Sequence, residues 1–198
     1  MAGLLLQFTL SMQAYLATGR DLPGSLGAFF AYYTILTNVV LVLIYLSDVL
    51  STTRLALFRR PLVRGAIAAS IALVSIYVFF VLRFIYTLAG LSQLADTLLH
   101  YVAPLLYLLW WCLSPRHGQL RWWDIPLMLV PTLIYFVVIM ARGAWLGEYP
   151  YPFMNAAELG YGGVLLGALS MALALAVLSA VVIAVDKALS RNWNLVHD

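Results

Sequence analysis

Six apolar stretches, each long enough to cross a lipid core and each joined to the next by a short connection, leave this chain few ways to fold. They cover residues 2–18, 28–50, 65–91, 96–113, 125–141 and 159–185. A hydrocarbon core of about 30 Å takes roughly 20 helical residues, within a range of about 17 to 25. Backbone groups in lipid find no water, so such stretches must satisfy their hydrogen bonds as helices. Only 10% of residues are charged and 64% are hydrophobic, against about 25% charged in soluble domains. The expectation is an all-α integral membrane protein, a compact six-transmembrane-helix bundle forming one domain over residues 1–198, with sequential neighbours antiparallel. The first stretch lacks the basic start of a signal peptide and is read as a membrane helix. The single Cys112 excludes an intrachain disulfide.

Charge fixes the orientation. Arg54, Arg59, Arg60, Arg64, Arg116, Arg121, Lys187 and Arg191 fall on one side of such a bundle, with Arg20 and Arg142 on the other and Arg83 inside the third span. By the positive-inside rule the richer side and both termini are cytoplasmic. The net charge of +3 then reflects topology, and no basic, aromatic-laced surface suggests nucleic acid. Trp110, Trp111, Trp122, Trp123 and Trp145 near span ends are expected to form an interfacial belt.

Within the second span, Thr34, Thr37, Asn38, Leu41, Tyr45 and Asp48 fall near one helix face at 3.6 residues per turn. A polar face in an apolar span needs partners inside the protein. In the bland reading Thr34 bonds back to its own helix and Asn38 joins two helices. Topology supplies a second reading. Thr34 lies roughly 9 Å and His100 about 6 Å below the outer surface, and Arg83 about 10 Å below the same end of its span. The outer loop adds Glu148, Tyr151, Asn155 and Glu158. Polar groups at one depth on several helices imply a pocket facing the bundle interior.

Asp96 and His100, at i and i+4, share a face, so the carboxylate can take one imidazole nitrogen and leave the other as a base. The alternative is an acid favoured by the helix dipole beside a histidine bonded to a neighbouring hydroxyl. His117 and His197 fall on the cytoplasmic side, leaving one histidine in the span region and no metal-ligand or bis-histidine haem set. Arg83 should pair with Asp96, Glu158 or an anionic ligand, or else snorkel to the headgroups. Glu158 opens the sixth span, where a capping role suffices. Pro126 and Pro131 are expected to bend the fifth span, and Gly163 and Gly167 to form a small-residue seam in the sixth.

Three stretches taken together carry a resemblance: Phe29-x-x-Tyr32-x-Thr34-x-x-Thr37-Asn38, Leu94-Ala95-Asp96-x3-His100-x3-Pro104, and Gly147-x-Tyr149-Pro150-Tyr151-Pro152-Phe153. Over almost the whole chain the sequence resembles the predicted six-helix membrane protein family, related to the androgen-induced and androgen-dependent membrane hydrolases of animals. Those animal members are threonine hydrolases that cleave fatty acid esters of hydroxy fatty acids with one intramembrane Thr and one His. The resemblance implies Thr34 and His100 for these roles, a bacterial cytoplasmic membrane, and a site opening toward the outer leaflet. Asn155 stands where an Asp is expected after the Tyr-Pro-Tyr-Pro-Phe turn, which leaves no carboxylate there.

The implied chemistry is acyl transfer to the Thr34 hydroxyl, with His100 as base and the two side chains within about 3 to 4 Å. Asp96 would orient the imidazole, and Asn38 or Arg83 would donate to an oxyanion or hold a substrate carboxylate. Thr37, Tyr151, Asn155 and Glu158 are further candidates for the substrate pocket. The partners are then the bilayer and a lipid or fatty acyl ester, with no metal or organic cofactor required. Two other classes stay open: a small-molecule or ion transporter using the buried charges, and a lipid-binding protein without catalysis. The orientation is testable by cysteine labelling. Reagents confined to the outside are expected to miss positions in the Arg59–Arg60 loop and at both termini, and labelling of that loop from outside would reverse the topology.

Overall fold

The computed structural model describes residues 1–50, 52–85, 87–114 and 117–197, the last seven by backbone alone. Arg116 and the side chains of Arg191 and His197 lie outside the described residues. Its regular elements are helices: α1 Ala2–Ala17, α2 Leu22–Phe30, α3 Tyr33–Leu50, α4 Pro61–Phe80, α5 Gly90–Thr97, α6 Ala103–Leu113, α7 Ile125–Leu146 and α8 Ala156–His197. A π-helical turn, Leu98–Val102, joins α5 to α6. Five segments are long and apolar enough to cross a membrane: Tyr33–Leu50, Pro61–Phe84, Gly90–Leu113, Trp122–Leu146 and Ala156–Ser190. The first expected span, α1, has 16 helical residues and falls short of that length.

α4 lies at the centre, in contact with α3, α6, α7 and α8. Its buried Ala66, Ala68 and Ala69 let neighbouring backbones approach closely, as small residues do where lipid removes the hydrophobic drive between helices. Ile44, Ile71, Tyr107, Leu175 and Ile183 complete this core. Outer faces are the reverse: Leu105, Leu133, Ile134, Leu165 and Leu166 are all more than half exposed. So much exposed apolar surface suits lipid and not water.

Several boundaries differ from the expectation. The span over 28–50 is two helices. Asp21 caps α2 by accepting from the Gly24 N–H at 3.0 Å, and the helix then breaks at Ala31–Tyr32. Its cause is distant in sequence: the Tyr135 hydroxyl donates to the Ala31 carbonyl at 2.8 Å, while the Ile35 N–H turns to the Tyr32 carbonyl instead. The third span stops at Phe80, with Leu82–Phe84 in a 3-10 turn, and α5 begins at Gly90, whose φ of +60° suits glycine. Pro126 sits in the first turn of α7, where a missing N–H costs nothing, so only Pro131 interrupts the helix. Gly167 packs against Phe153 in a 3-10 turn, and a Cβ on Gly163 would meet only Leu159, on the other side of the kink at Gly160, so neither forms a helix seam. Trp111 is buried in the core, while Trp122, Trp123 and Trp145 are exposed as a belt requires.

Charge closes one end of the bundle. Glu148, in the loop between α7 and α8, accepts from both terminal nitrogens of Arg20 at 3.0 and 2.5 Å and from Arg142 at 3.1 Å. The loop after α1 is thereby tied to the loop after α7. These contacts, chiefly Arg20, hold the Glu148 carboxyl below its ordinary value of 4.5, against an opposing push from burial. A depressed carboxylate contributes stability that is present above its unfolded value and lost as pH falls through the folded one. In thermal unfolding in detergent, wild type should exceed Glu148→Gln at neutral pH, by a modest margin because the group is partly exposed. That margin should begin to shrink as pH falls to the ordinary carboxylate value and vanish below the depressed one; a constant margin down to acid pH would show that the clamp is not electrostatic.

Candidate active site

The break between α2 and α3 makes Thr34 the second residue of a helix, buried at 7% exposure. On the opposite wall, the π turn presents His100. The Thr34 Oγ1 and His100 Nε2 atoms are 3.2 Å apart. Behind the ring, His100 Nδ1 lies 2.8 Å from Asp96 Oδ1 and 3.1 Å from the Asp96 carbonyl. Since Nδ1 faces only acceptors, it carries the proton and donates to Asp96, leaving the Nε2 lone pair to accept from the threonine hydroxyl.

The π turn has its origin in Pro104. A proline has no N–H to give the carbonyl four residues earlier, which is that of His100. With the Ala103 N–H bonded to the Leu98 carbonyl, the Leu99 carbonyl also loses its usual donor. Both are supplied from other helices: Ser75 of α4 donates to the His100 carbonyl, and Asn38 of α3 donates to the Leu99 carbonyl at 3.4 Å. The backbone carrying the imidazole is thus held from two sides. Ser75 is absent from the residues that the sequence singles out, although Pro104 four residues after His100 is a signal that some neighbour must supply a donor.

A cavity of about 230 Å³ opens beside Thr34, lined at its polar end by Tyr33, Tyr135 and Tyr151 and elsewhere by apolar side chains of α4, α7 and α8, such as Val74, Phe136 and Leu175. Thr34 is part of its wall and His100 is not. The Tyr33 ring is fixed at this wall by Thr132 at 2.6 Å and Ser70 at 3.0 Å. From the loop before α8, Tyr151 lines the same wall as Thr34, its ring edge-on to Tyr32 at 5.8 Å and stacked on Phe153 at 5.6 Å.

Other expected site residues lie differently. Thr37 bonds back to the Tyr33 and Thr34 carbonyls, both at 3.0 Å. Asn38 spends its amide hydrogens on the Thr34 carbonyl at 2.9 Å and on Leu99, so it positions helices and is not free to donate to an oxyanion. Asn155 accepts from the Ala157 N–H at 3.2 Å and caps α8. Glu158 is exposed in the first turn of that helix. Arg83 is exposed beyond the end of α4, its guanidinium 4.0 Å over the Phe79 ring and 4.5 Å over Phe84. It forms no ion pair among the described residues; aromatic faces take the place of the expected carboxylate.

Compared with protein-family models, with curated proteins and with solved structures, the chain matches none. Any assignment of function therefore rests on the geometry of the site. Asn38→Leu should lower the unfolding midpoint by the equivalent of ~1 kcal/mol, since it leaves the Leu99 carbonyl to be satisfied in an apolar setting, while the Thr34 carbonyl keeps the Thr37 hydroxyl. Unchanged stability in detergent would show that Asn38 does not hold the π turn.

Proposed function

We propose that the protein is an intramembrane lipid ester hydrolase with Thr34 as nucleophile and His100 as base. The observation that carries this reading is the Asp96–His100–Thr34 relay, with contacts of 2.8 and 3.2 Å, placed beside an apolar cavity. A threonine hydroxyl is a weak nucleophile, and a positioned base contributes typically 10²- to 10⁴-fold. In the first step the Thr34 oxygen bonds to the ester carbonyl carbon as its proton passes to His100 Nε2. The ester C–O bond then breaks, and the departing alcohol takes that proton. Water repeats the sequence with the same base and releases the acid. Asp96 stabilises the imidazolium and keeps its ring oriented.

Negative charge on the carbonyl oxygen needs donors. The first N–H groups of α3, with the helix dipole behind them, and the Tyr151 hydroxyl on the same cavity wall as Thr34 are the groups placed to supply them. An acyl chain fits the apolar part of the cavity, as the resemblance to fatty acyl ester hydrolases also implies. In this reading α1 is a sixth, short span, both termini are cytoplasmic, and the site opens toward the outer leaflet of a bacterial cytoplasmic membrane.

Turnover of a p-nitrophenyl acyl ester by purified protein in detergent tests the reading. Thr34→Ala and His100→Ala should each lower kcat by at least about 10²-fold, and Tyr151→Phe by about tenfold with little change in KM. Thr37→Ala, whose hydroxyl serves its own helix, should retain nearly full activity. Equal turnover by wild type, Thr34→Ala and His100→Ala would move the protein to the lipid-binding or transport classes.

A further inference from the structure

A second cavity, of about 260 Å³, lies at the arginine-rich end of the bundle and takes no part in the chemistry above. Counting from Ser75 to Arg64 along α4, it is roughly 16 Å from the first site at 1.5 Å per residue. Arg59, Arg64, His117, Gln119 and Asp186 supply its polar wall, with Trp111 behind them.

Among the described residues, two of the basic side chains around it contact carboxylates and the third does not. Arg64 is held by Asp48 and stacks over Trp110 with 5.2 Å between guanidinium carbon and ring centre. His117 Nδ1 lies 3.2 Å from Asp186 Oδ1, and its Nε2 lies 3.3 Å from the Cys112 carbonyl. Both ring nitrogens thus face acceptors. Asp186 is 3% exposed, and its other oxygen accepts from the Leu120 N–H at 3.0 Å. Asp48 and Asp186 are thus each in contact with a basic side chain other than Arg59. Arg59 is left over: it donates to the Ser47 and Thr52 carbonyls, both at 2.9 Å, and forms no ion pair among the described residues. Those two contacts use two of its five N–H groups.

We propose that this cavity binds a phosphate group, with Arg59 as its principal charge partner and Arg64 and His117 completing the wall. One unmatched guanidinium suits a singly charged phosphodiester, and Arg presents paired donors that match phosphate oxygens. Basic pockets between membrane helices at this level take anionic headgroups. The site is independent of the hydrolase reading, since none of its residues touches Thr34, His100 or the first cavity.

Native mass spectrometry of the full chain in detergent tests it, with phosphatidylglycerol and phosphatidylcholine as probes and inorganic phosphate as competitor. Wild type should retain phosphatidylglycerol at least about fivefold better than phosphatidylcholine. Arg59→Gln should lose that preference, and Arg59→Lys should keep most of it. If millimolar phosphate displaces the lipid and by itself raises the unfolding temperature, the occupant is a soluble phosphate; if it does neither, the occupant is a lipid headgroup. Equal retention of the two lipids by wild type with no response to phosphate overturns the proposal, whether or not the variants fold. So does an undiminished preference in Arg59→Gln.

Discussion

Backbone carbonyls without a helical donor, in surroundings where water cannot supply one, determine how this bundle is assembled. An unpaired buried carbonyl costs about 1 to 3 kcal/mol, so each interruption of a helix has to be repaired by a neighbour. Ala31 is served by Tyr135 of α7, Leu99 by Asn38 of α3 and His100 by Ser75 of α4. These repairs link α3, α4, α7 and the α5–α6 rod around one volume. The same interruptions release Thr34 and His100 from regular helix and turn them toward each other. Repair and site are thus one arrangement.

Ionic contacts, by contrast, sit at the two ends. Glu148 gathers Arg20 and Arg142 at one end, while Asp48 with Arg64 and Asp186 with His117 close the other. Between them the Asp96–His100 pair contacts the Thr34 hydroxyl. Burial of charge is costly unless it is matched and hydrogen-bonded, and here Glu148 and Asp48 meet arginines while Asp96 and Asp186 meet imidazoles. The exposed arginine of the α4–α5 connection solves the same difficulty with aromatic faces.

Much of this is legible in the sequence, and the failures have physical causes. Apolar length gives the helices, and a 3.6-residue period puts Thr34, Thr37 and Asn38 on one inward face; all three are buried. Equal depth brings Thr34 and His100 into one layer, and the i, i+4 spacing puts Asp96 behind the imidazole. The break at Ala31–Tyr32 cannot be read locally, because a tyrosine more than a hundred residues away causes it. Arg83 is misplaced when the third span is drawn through Leu91; with the helix ending at Phe80, the guanidinium has left the bundle interior. Trp111 looks interfacial by position, yet a single helix face separates it from an exposed belt.

Thr34 and Thr37 show why local sequence does not decide which hydroxyl meets the imidazole. A threonine inside a helix gives its proton to the carbonyl three or four residues earlier, and Thr37 does so. For Thr34 those carbonyls belong to Phe30 and Ala31. The break carries the chain out of helical geometry at these positions, and Tyr135 occupies the Ala31 carbonyl. With its local acceptor taken, the Thr34 hydroxyl turns to His100 Nε2 instead. Side chains of the same type, one turn apart on one face, therefore differ in chemistry because one lies just after a helix break and the other lies within the helix.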